Sequence, residues 1–290
     1  MATCAAALLL LSFVTIEERA LSYLEDQVSR WFPENGCMSC HNNGDAARAL
    51  FKAREKGYAT SGPAIADTVR WLSQPTKWHD NRSSPAFSDK KLARLQFAAA
   101  LVASPGGAQD SIRQAAAALA GDQSPDGAWD IDSGGGPGSP VTYGTALATY
   151  LASRVMEAAG ERSAAARANA WLLAVEPRSV PEAAAKLLAH PAASDAANFL
   201  VKAQNPDYGW GPHPNSPSEV FDTALALLAL QETKAGRRVE ILQRGREYLR
   251  KTQQSSGGWP ETTRPVGYQS YAQHISTTAW ALLALLSTRP

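Results

Sequence analysis

Two of the three cysteines in this 290-residue chain lie three positions apart, in Gly36-Cys37-Met38-Ser39-Cys40-His41. Cys-x-x-Cys-His is the spacing at which two thiols bond the vinyl groups of haem c and the histidine supplies an axial ligand. The same residues suit three other roles. A metal such as zinc needs three or four ligands, so His41 would have to be joined by His79 or His274. A redox disulfide needs only Cys37 and Cys40. A structural turn with reduced thiols needs no partner at all. Carboxylates offer a second kind of chemistry. Glu219-Val-Phe-Asp222 opens an apolar run that reads as a buried helix, and Asp130-Ile-Asp132 lies in a glycine-rich stretch. An aspartate at the head of a helix also serves as an N-cap, and aspartates are common in turns, so both pairs have plain structural readings.

The elements that must position these groups are helical and repeated. Gln123-Ser-Pro-Asp-Gly-Ala-Trp129, Gln204-Asn-Pro-Asp-Tyr-Gly-Trp210 and Gln253-Gln-Ser-Ser-Gly-Gly-Trp259 align without gaps. Each has a leucine four residues before its glutamine (Leu119, Leu200, Leu249) and reaches a later Thr-Ala-x-Ala at Thr145, Thr223 or Thr278. The unit is therefore helix, Gln-to-Trp turn, loop, helix. Its first helix is amphipathic, as in 237–252, and its second is apolar nearly all round, as in 277–286, which marks one wet and one buried helix per pair. Six such pairs are expected: 13–31 with 43–56, 62–73 with 88–104, 108–121 with 141–159, 163–175 with 181–190, 194–204 with 217–231, and 236–254 with 270–288. Units of this kind bury their faces only against neighbours. The expectation is an all-α fold, an (α/α)6 toroid formed as one domain over residues 15–290.

Arg244-Gly245-x2-Tyr248-Leu249-x3-Gln253-x3-Gly257-x-Trp259 resembles the QW motif of squalene-hopene and oxidosqualene cyclases, and similar repeats occur in protein prenyltransferase β subunits. The other two copies are partial, with Tyr208 in place of the first glycine and Ala118 in place of the aromatic residue. The resemblance implies a toroid whose inner helices line a cavity. It also implies structural roles for Gln123, Trp129, Gln204, Trp210, Gln253 and Trp259, with the amide capping a neighbouring helix and the indole stacked on it. The catalytic Asp-x-Asp-Asp-Thr-Ala of squalene cyclases corresponds here to Glu219-Val-Phe-Asp-Thr-Ala224, so the proton-donating acid falls at Phe221, which has no acidic proton. Prenyltransferases carry a zinc-binding histidine near Thr277 and Thr278, and this chain has none there. Squalene cyclases also enclose their substrate with two α/α domains. A bacterial group of related toroids has a similar N-terminal Gly-Cys-x-x-Cys-His.

Lys plus Arg (28) nearly equals Asp plus Glu (27), which gives no electrostatic footprint for nucleic acid. The apolar run 4–14 is too short to span a bilayer and reads as a first helix or an atypical export signal. Haem c attachment takes place outside the cytoplasm, which places the chain there if a haem is present. The expected function is a squalene-cyclase-like toroid with a cofactor at the Cys-x-x-Cys-His turn, haem c before zinc, in a redox role without squalene cyclase activity. The alternatives are a binding module for an isoprenoid, another apolar ligand or a protein, and a divergent terpenoid cyclase.

Overall fold

The computed structural model describes residues 14–81, 90–131, 143–233, 238–262 and 270–289. Helix α1 (Ile16–Asn35) starts at a capping box, in which Thr15 accepts from the Glu18 N–H and Glu18 reaches back to the Thr15 N–H. It leads into a π-helical turn, Cys40–Ala46, continued by α2 (Ala47–Glu55). The remaining pairs are α3 (Gly62–Leu72) with α4 (Lys90–Ala103), α5 (Gln109–Ala120) with α6 (Gly144–Ala159), α7 (Arg162–Ala174) with α8 (Val180–Ala189), α9 (Ser194–Ala203) with α10 (Val220–Gln231), and α11 (Arg238–Thr252) with α12 (Tyr271–Ser287). All six expected pairs are present. Among the described residues, no helix is long and apolar enough to cross a membrane.

The even-numbered helices form the inner ring. Each packs on the inner helix before and after it, and α12 returns to α2 and the π-turn. Their composition explains their position: α10 and α12 are buried along almost their entire length, whereas α11 buries only Ile241, Leu242 and Leu249 among its apolar residues.

The Gln-to-Trp turns join neighbouring units through hydrogen bonds. The amide of Gln123 donates to Gly127 O within its own turn and to Ala164 O in the first turn of α7. Gln204 does the same to Tyr208 O and to Ile241 O in α11. Gln253 binds Gly257 O and reaches Ile16 O of α1 at 2.9 Å, which ties the last unit to the first and closes the ring. The indoles make a further tie. Each Nε1 donates to the carbonyl of the leucine noted in the repeat: Trp129 to Leu119, Trp210 to Leu200 and Trp259 to Leu249, at 3.0, 2.8 and 2.8 Å. Each tryptophan backbone N–H is received by a threonine hydroxyl of the paired inner helix: Thr149, Thr223 and Thr278. In the first copy this is Thr149 and not Thr145. The threonine that meets the tryptophan is set by the packed helix and not by its place in the Thr-Ala-x-Ala sequence.

Close backbone approach explains the glycines of these turns. Gly257 has φ +94°, and a Cβ there would lie 2.4 Å from Arg19 O of α1. A Gly257→Ala variant meets both a left-handed backbone cost and a clash at the ring-closing seam. It should lose at least about 2 kcal/mol of stability, measured as a lowered midpoint in urea unfolding. Tyr208 occupies the corresponding position at φ +78°, with its ring beneath Arg244 and Lys251, both at 5.5 Å.

Candidate functional site

The Cys-x-x-Cys-His sequence enters the ring as a wide π-helical turn at the head of the first inner helix, a rare form that is frequent at functional sites. Local polar side chains hold it. Ser39 is the N-cap, accepting from the Asn42 N–H at 2.9 Å, and the Asn43 side chain accepts from the Ser39 N–H at 2.9 Å. The Asn42 amide donates to Gln27 O and to the Tyr271 hydroxyl, linking the turn to α1 and α12. Asn43 donates to Thr68 of α3. Asn81 clamps Met38 through both its N–H and its carbonyl. His41 is wedged between Trp31 and Tyr271, edge to face, with ring centroids 4.9 and 5.4 Å away. Its burial drives the imidazole pKa down to about 3, so the ring is neutral.

The residue that this turn delivers to the ring axis is Asp45, which is fully buried. Tyr143, at the head of α6, donates its hydroxyl to Asp45 Oδ1, and Gln96 Nε2 of α4 donates to Oδ2 at 2.7 Å. Arg48 Nη1 lies 3.8 Å from Oδ1, and its guanidinium stacks 4.7 Å above the Trp280 ring. Trp280 Nε1 in turn donates to the Tyr143 hydroxyl at 3.1 Å. Tyr143, Phe221 and Trp280 form a mutual aromatic cluster with centroids 5.8–6.0 Å apart. Burial raises the Asp45 pKa, and the Arg48 charge and the donated hydrogen bonds partly offset that rise. Gly44 makes the approach possible, since a Cβ there would meet Gln96 Cβ at 3.0 Å. The arrangement is a carboxyl group biased toward its neutral form, held by donors on both oxygens and placed against aromatic rings.

The other candidates fall elsewhere. Asp222 is not the N-cap of α10. Glu219 occupies that position without a side-chain capping bond, and Asp222 lies in the first turn. Both lie near Tyr248 of α11, where burial first, and then the charges of Asp207, Glu219 and Asp222, push the phenol up to about 12. Phe221, one residue earlier, faces the axis instead. Asp130 accepts from Ser124, and Asp132 lies outside the described residues, as do residues 1–13. His79 is exposed and paired with Asp80 at 3.2 Å. His274 lies 3.6 Å from Glu261 and packs on Tyr23.

The turn does not suit the expected cofactors. Cys37 lines an outer groove of about 580 Å³ with Phe32, Met38 and Trp71, and neither Cys40 nor His41 lines it. Both imidazole nitrogens of His41 are turned inward, Nδ1 toward Cys40 Sγ at 4.0 Å and Nε2 buried without a partner. A haem c needs both thiols and an open imidazole nitrogen on one cavity, and the residues do not fit that requirement. For zinc, no cluster of three or more His, Cys, Asp or Glu side chains gathers among the described residues. Cys37 and Cys40 are not joined in a disulfide.

Residues 186–289 match the squalene-hopene cyclase C-terminal domain family. The chain has the fold of the squalene-cyclase-type α/α toroids. No curated protein sequence matches it. Among solved structures, this toroid is similar to a protein from Actinoplanes, with a TM-score of 0.63 and 17% identity over 95% of this chain and 99% of that one. It is also similar to the type II terpene cyclase MstE from Scytonema. An arginine-to-alanine variant of MstE, in complex with geranylgeranyl dihydroxybenzoate as substrate, gives a TM-score of 0.61 and 16% identity over 94% of this chain and 96% of that one. The apo enzyme gives 0.60 and 16% over 93% and 96%.

The central residues of the toroid, Asp45, Gln96, Tyr143 and Arg48, were not expected from motif reading. A usable signal did exist: Asp45 is an isolated acid at the start of a predicted inner helix, between Gly44 and Ala46-Ala47.

Proposed function

We propose that this toroid binds a linear isoprenoid and cyclises it by proton donation from Asp45. The observation that carries the reading is a buried carboxyl group, held toward its neutral form, beside the Tyr143–Phe221–Trp280 cluster. A neutral acid in an apolar site is the arrangement used for general-acid work near neutral pH. Protonation of a terminal C=C bond leaves a carbocation on the more substituted carbon. Aromatic faces attract such a charge, and internal C=C bonds capture it in turn until a proton is lost. The substrate is isomerised, so no co-reactant is required. Phe221 gains a role in this reading: it stands where squalene cyclases place their acid, and it packs in the same cluster as Tyr143, the donor to Asp45. The acid function has moved to another inner helix. The similarity to MstE, of single-toroid length and crystallised with a geranylgeranyl substrate, supports an isoprenoid ligand. It also removes the objection that one toroid is too small for type II cyclisation.

Incubation with squalene and with geranylgeranyl-substituted aromatic acids should yield products of unchanged mass with fewer double bonds, by gas chromatography and mass spectrometry. Tight binding of these compounds without any product would reduce the protein to an isoprenoid-binding module. Neither binding nor product would sink both readings.

A further inference from the structure

Trp280 of α12 reaches Asp45 through two other side chains. One face of its indole carries the Arg48 guanidinium, whose Cζ lies 4.7 Å from the ring centroid. Arg48 follows Asp45 by one helical turn, and its Nη1 stands 3.8 Å from Asp45 Oδ1, too far for a hydrogen bond. That nitrogen is shut off from solvent and makes no hydrogen bond, so closing on the carboxyl group would satisfy it. At the edge of the same ring, Trp280 Nε1 donates to the Tyr143 hydroxyl at 3.1 Å, and that hydroxyl donates to Asp45 Oδ1. The phenol oxygen thus receives one proton while its own is committed to Asp45. Burial first raises the Tyr143 pKa well above its ordinary value, and the Trp280 bond works against that rise, which makes the phenol a stronger donor. A single buried ring therefore holds both groups that meet Asp45 Oδ1.

We infer that Trp280 is a positioning residue that sets how firmly Asp45 holds its proton, by stacking Arg48 off the carboxyl group and by polarising Tyr143 toward it. Its effect on rate rests on the acid role proposed for Asp45, and its effect on the proton does not. The two contacts act in opposite directions. A guanidinium favours the carboxylate more strongly the closer it comes, so the stack on Trp280 keeps Asp45 easier to protonate. A stronger donor in Tyr143 favours the carboxylate, so that contact makes Asp45 harder to protonate. Magnitudes decide between them. Closing Arg48 from 3.8 Å to a bonded separation of about 2.8 Å, at an effective dielectric constant of about 20, lowers the midpoint of Asp45 by about one pH unit. Polarisation through a neighbour strengthens a hydrogen bond by only about 10–30%. The hold on Arg48 dominates. Among the described residues, the charged and titratable groups that act on Asp45 are Arg48, on its own helical run, and Tyr143, at the head of α6. Gln96 of α4 and Ser276 of α12 bring uncharged groups to it. Tyr150 of α6 also feels the Arg48 charge, and burial holds its phenol above the ordinary range.

The test reads the Asp45 proton in two ways. The first is the infrared C=O band of its protonated carboxyl group, identified by its loss in Asp45→Asn. The second is the pH–rate profile with the isoprenoid substrates named above. Both are followed in the full chain for the wild type, Trp280→Leu, Trp280→Phe, Arg48→Met and the Trp280→Leu/Arg48→Met double variant. Leucine removes both contacts, so the midpoint should fall by about one pH unit, and the alkaline limb of the rate profile with it. Adding Arg48→Met should cancel that fall. Phenylalanine keeps a ring for Arg48 but loses the N–H, so the midpoint should rise, by less than leucine lowers it. A merely structural role would reduce stability or rate without moving the midpoint. Unmoved midpoints in Trp280→Leu and Trp280→Phe overturn the inference, and so does a fall in Trp280→Leu that persists without Arg48. If Trp280→Leu does not fold, Trp280→Phe decides alone, and an unmoved midpoint there overturns the inference. Midpoints that shift as expected, with no product from any substrate, overturn the cyclase reading and leave the positioning role standing.

Discussion

An Asp45→Asn variant should lose roughly 10²–10⁴-fold in cyclisation rate while becoming more stable than the wild type at neutral pH. The two effects share one cause. Burial disfavours the charged carboxylate at the ring axis, so the folded-state pKa of Asp45 stands above its unfolded value. The contribution of Asp45 to stability is therefore fully present below the unfolded pKa, near 4, and is lost as pH rises through the folded value. Asparagine keeps the shape, accepts from the Tyr143 hydroxyl and carries no charge. Its advantage over the wild type should be largest above the folded pKa of Asp45 and should vanish toward pH 3. Urea unfolding of both proteins across pH 3–8 measures this, with product formation assayed in parallel. A variant that is less stable than the wild type at pH 7 would show that Asp45 acts as a paired structural anion and would remove the basis for its role as an acid.

A His41→Phe variant should show the second large effect, a flattened acid limb of the stability curve. In the folded protein burial holds the imidazole near a pKa of about 3, against 6.5 for a free side chain. Between those values the unfolded chain binds a proton that the folded chain does not. Stability due to His41 is complete above pH 6.5 and falls by about 1.4 kcal/mol per pH unit on acidification toward pH 3. Phenylalanine fits the same aromatic slot between Trp31 and Tyr271 and does not titrate. The variant should therefore exceed the wild type by several kcal/mol near pH 4 and match it near pH 7. Equal slopes would mean that the imidazole is solvated, with a nitrogen open to a ligand. The burial of His41 also bears on haem c: in a host that matures c-type cytochromes, the wild type should be recovered with unmodified Cys37 and Cys40 by mass.

The asparagines of the turn fit this picture. Asn42 and Asn43 anchor it to α1, α3 and α12 through side-chain bonds that involve neither thiol. The segment that most resembles a cofactor attachment site thus carries the geometry that directs Asp45 inward.

The ring itself was legible in the sequence. Alternation of amphipathic and uniformly apolar helical segments specifies wet and buried partners, and six such pairs in succession leave little choice of architecture. The Gln, Trp and Leu of each turn were legible for the same reason, because a repeated contact requires repeated residues. What they do was decided by packing: each indole reaches the leucine carbonyl, and in the first copy the packed inner helix presents Thr149, not Thr145, to the tryptophan. The cluster around Asp45 was not legible, since its members occur once each. Arg48 lies three residues on along the same helical run, but Gln96 and Tyr143 have no fixed spacing from Asp45 in the chain, and their meeting with it depends on ring closure. Local motif reading favours residues adjacent in sequence, and so it pointed to Cys37, Cys40, His41 and Asp222. Helical periodicity then turned Phe221 toward the axis and Asp222 toward α11, and the π-turn placed His41 among aromatic rings and Asp45 at the centre. Composition and period determine that a toroid forms. Which acid lies at its axis is a property of the closed ring, where burial sets both its proton affinity and its partners.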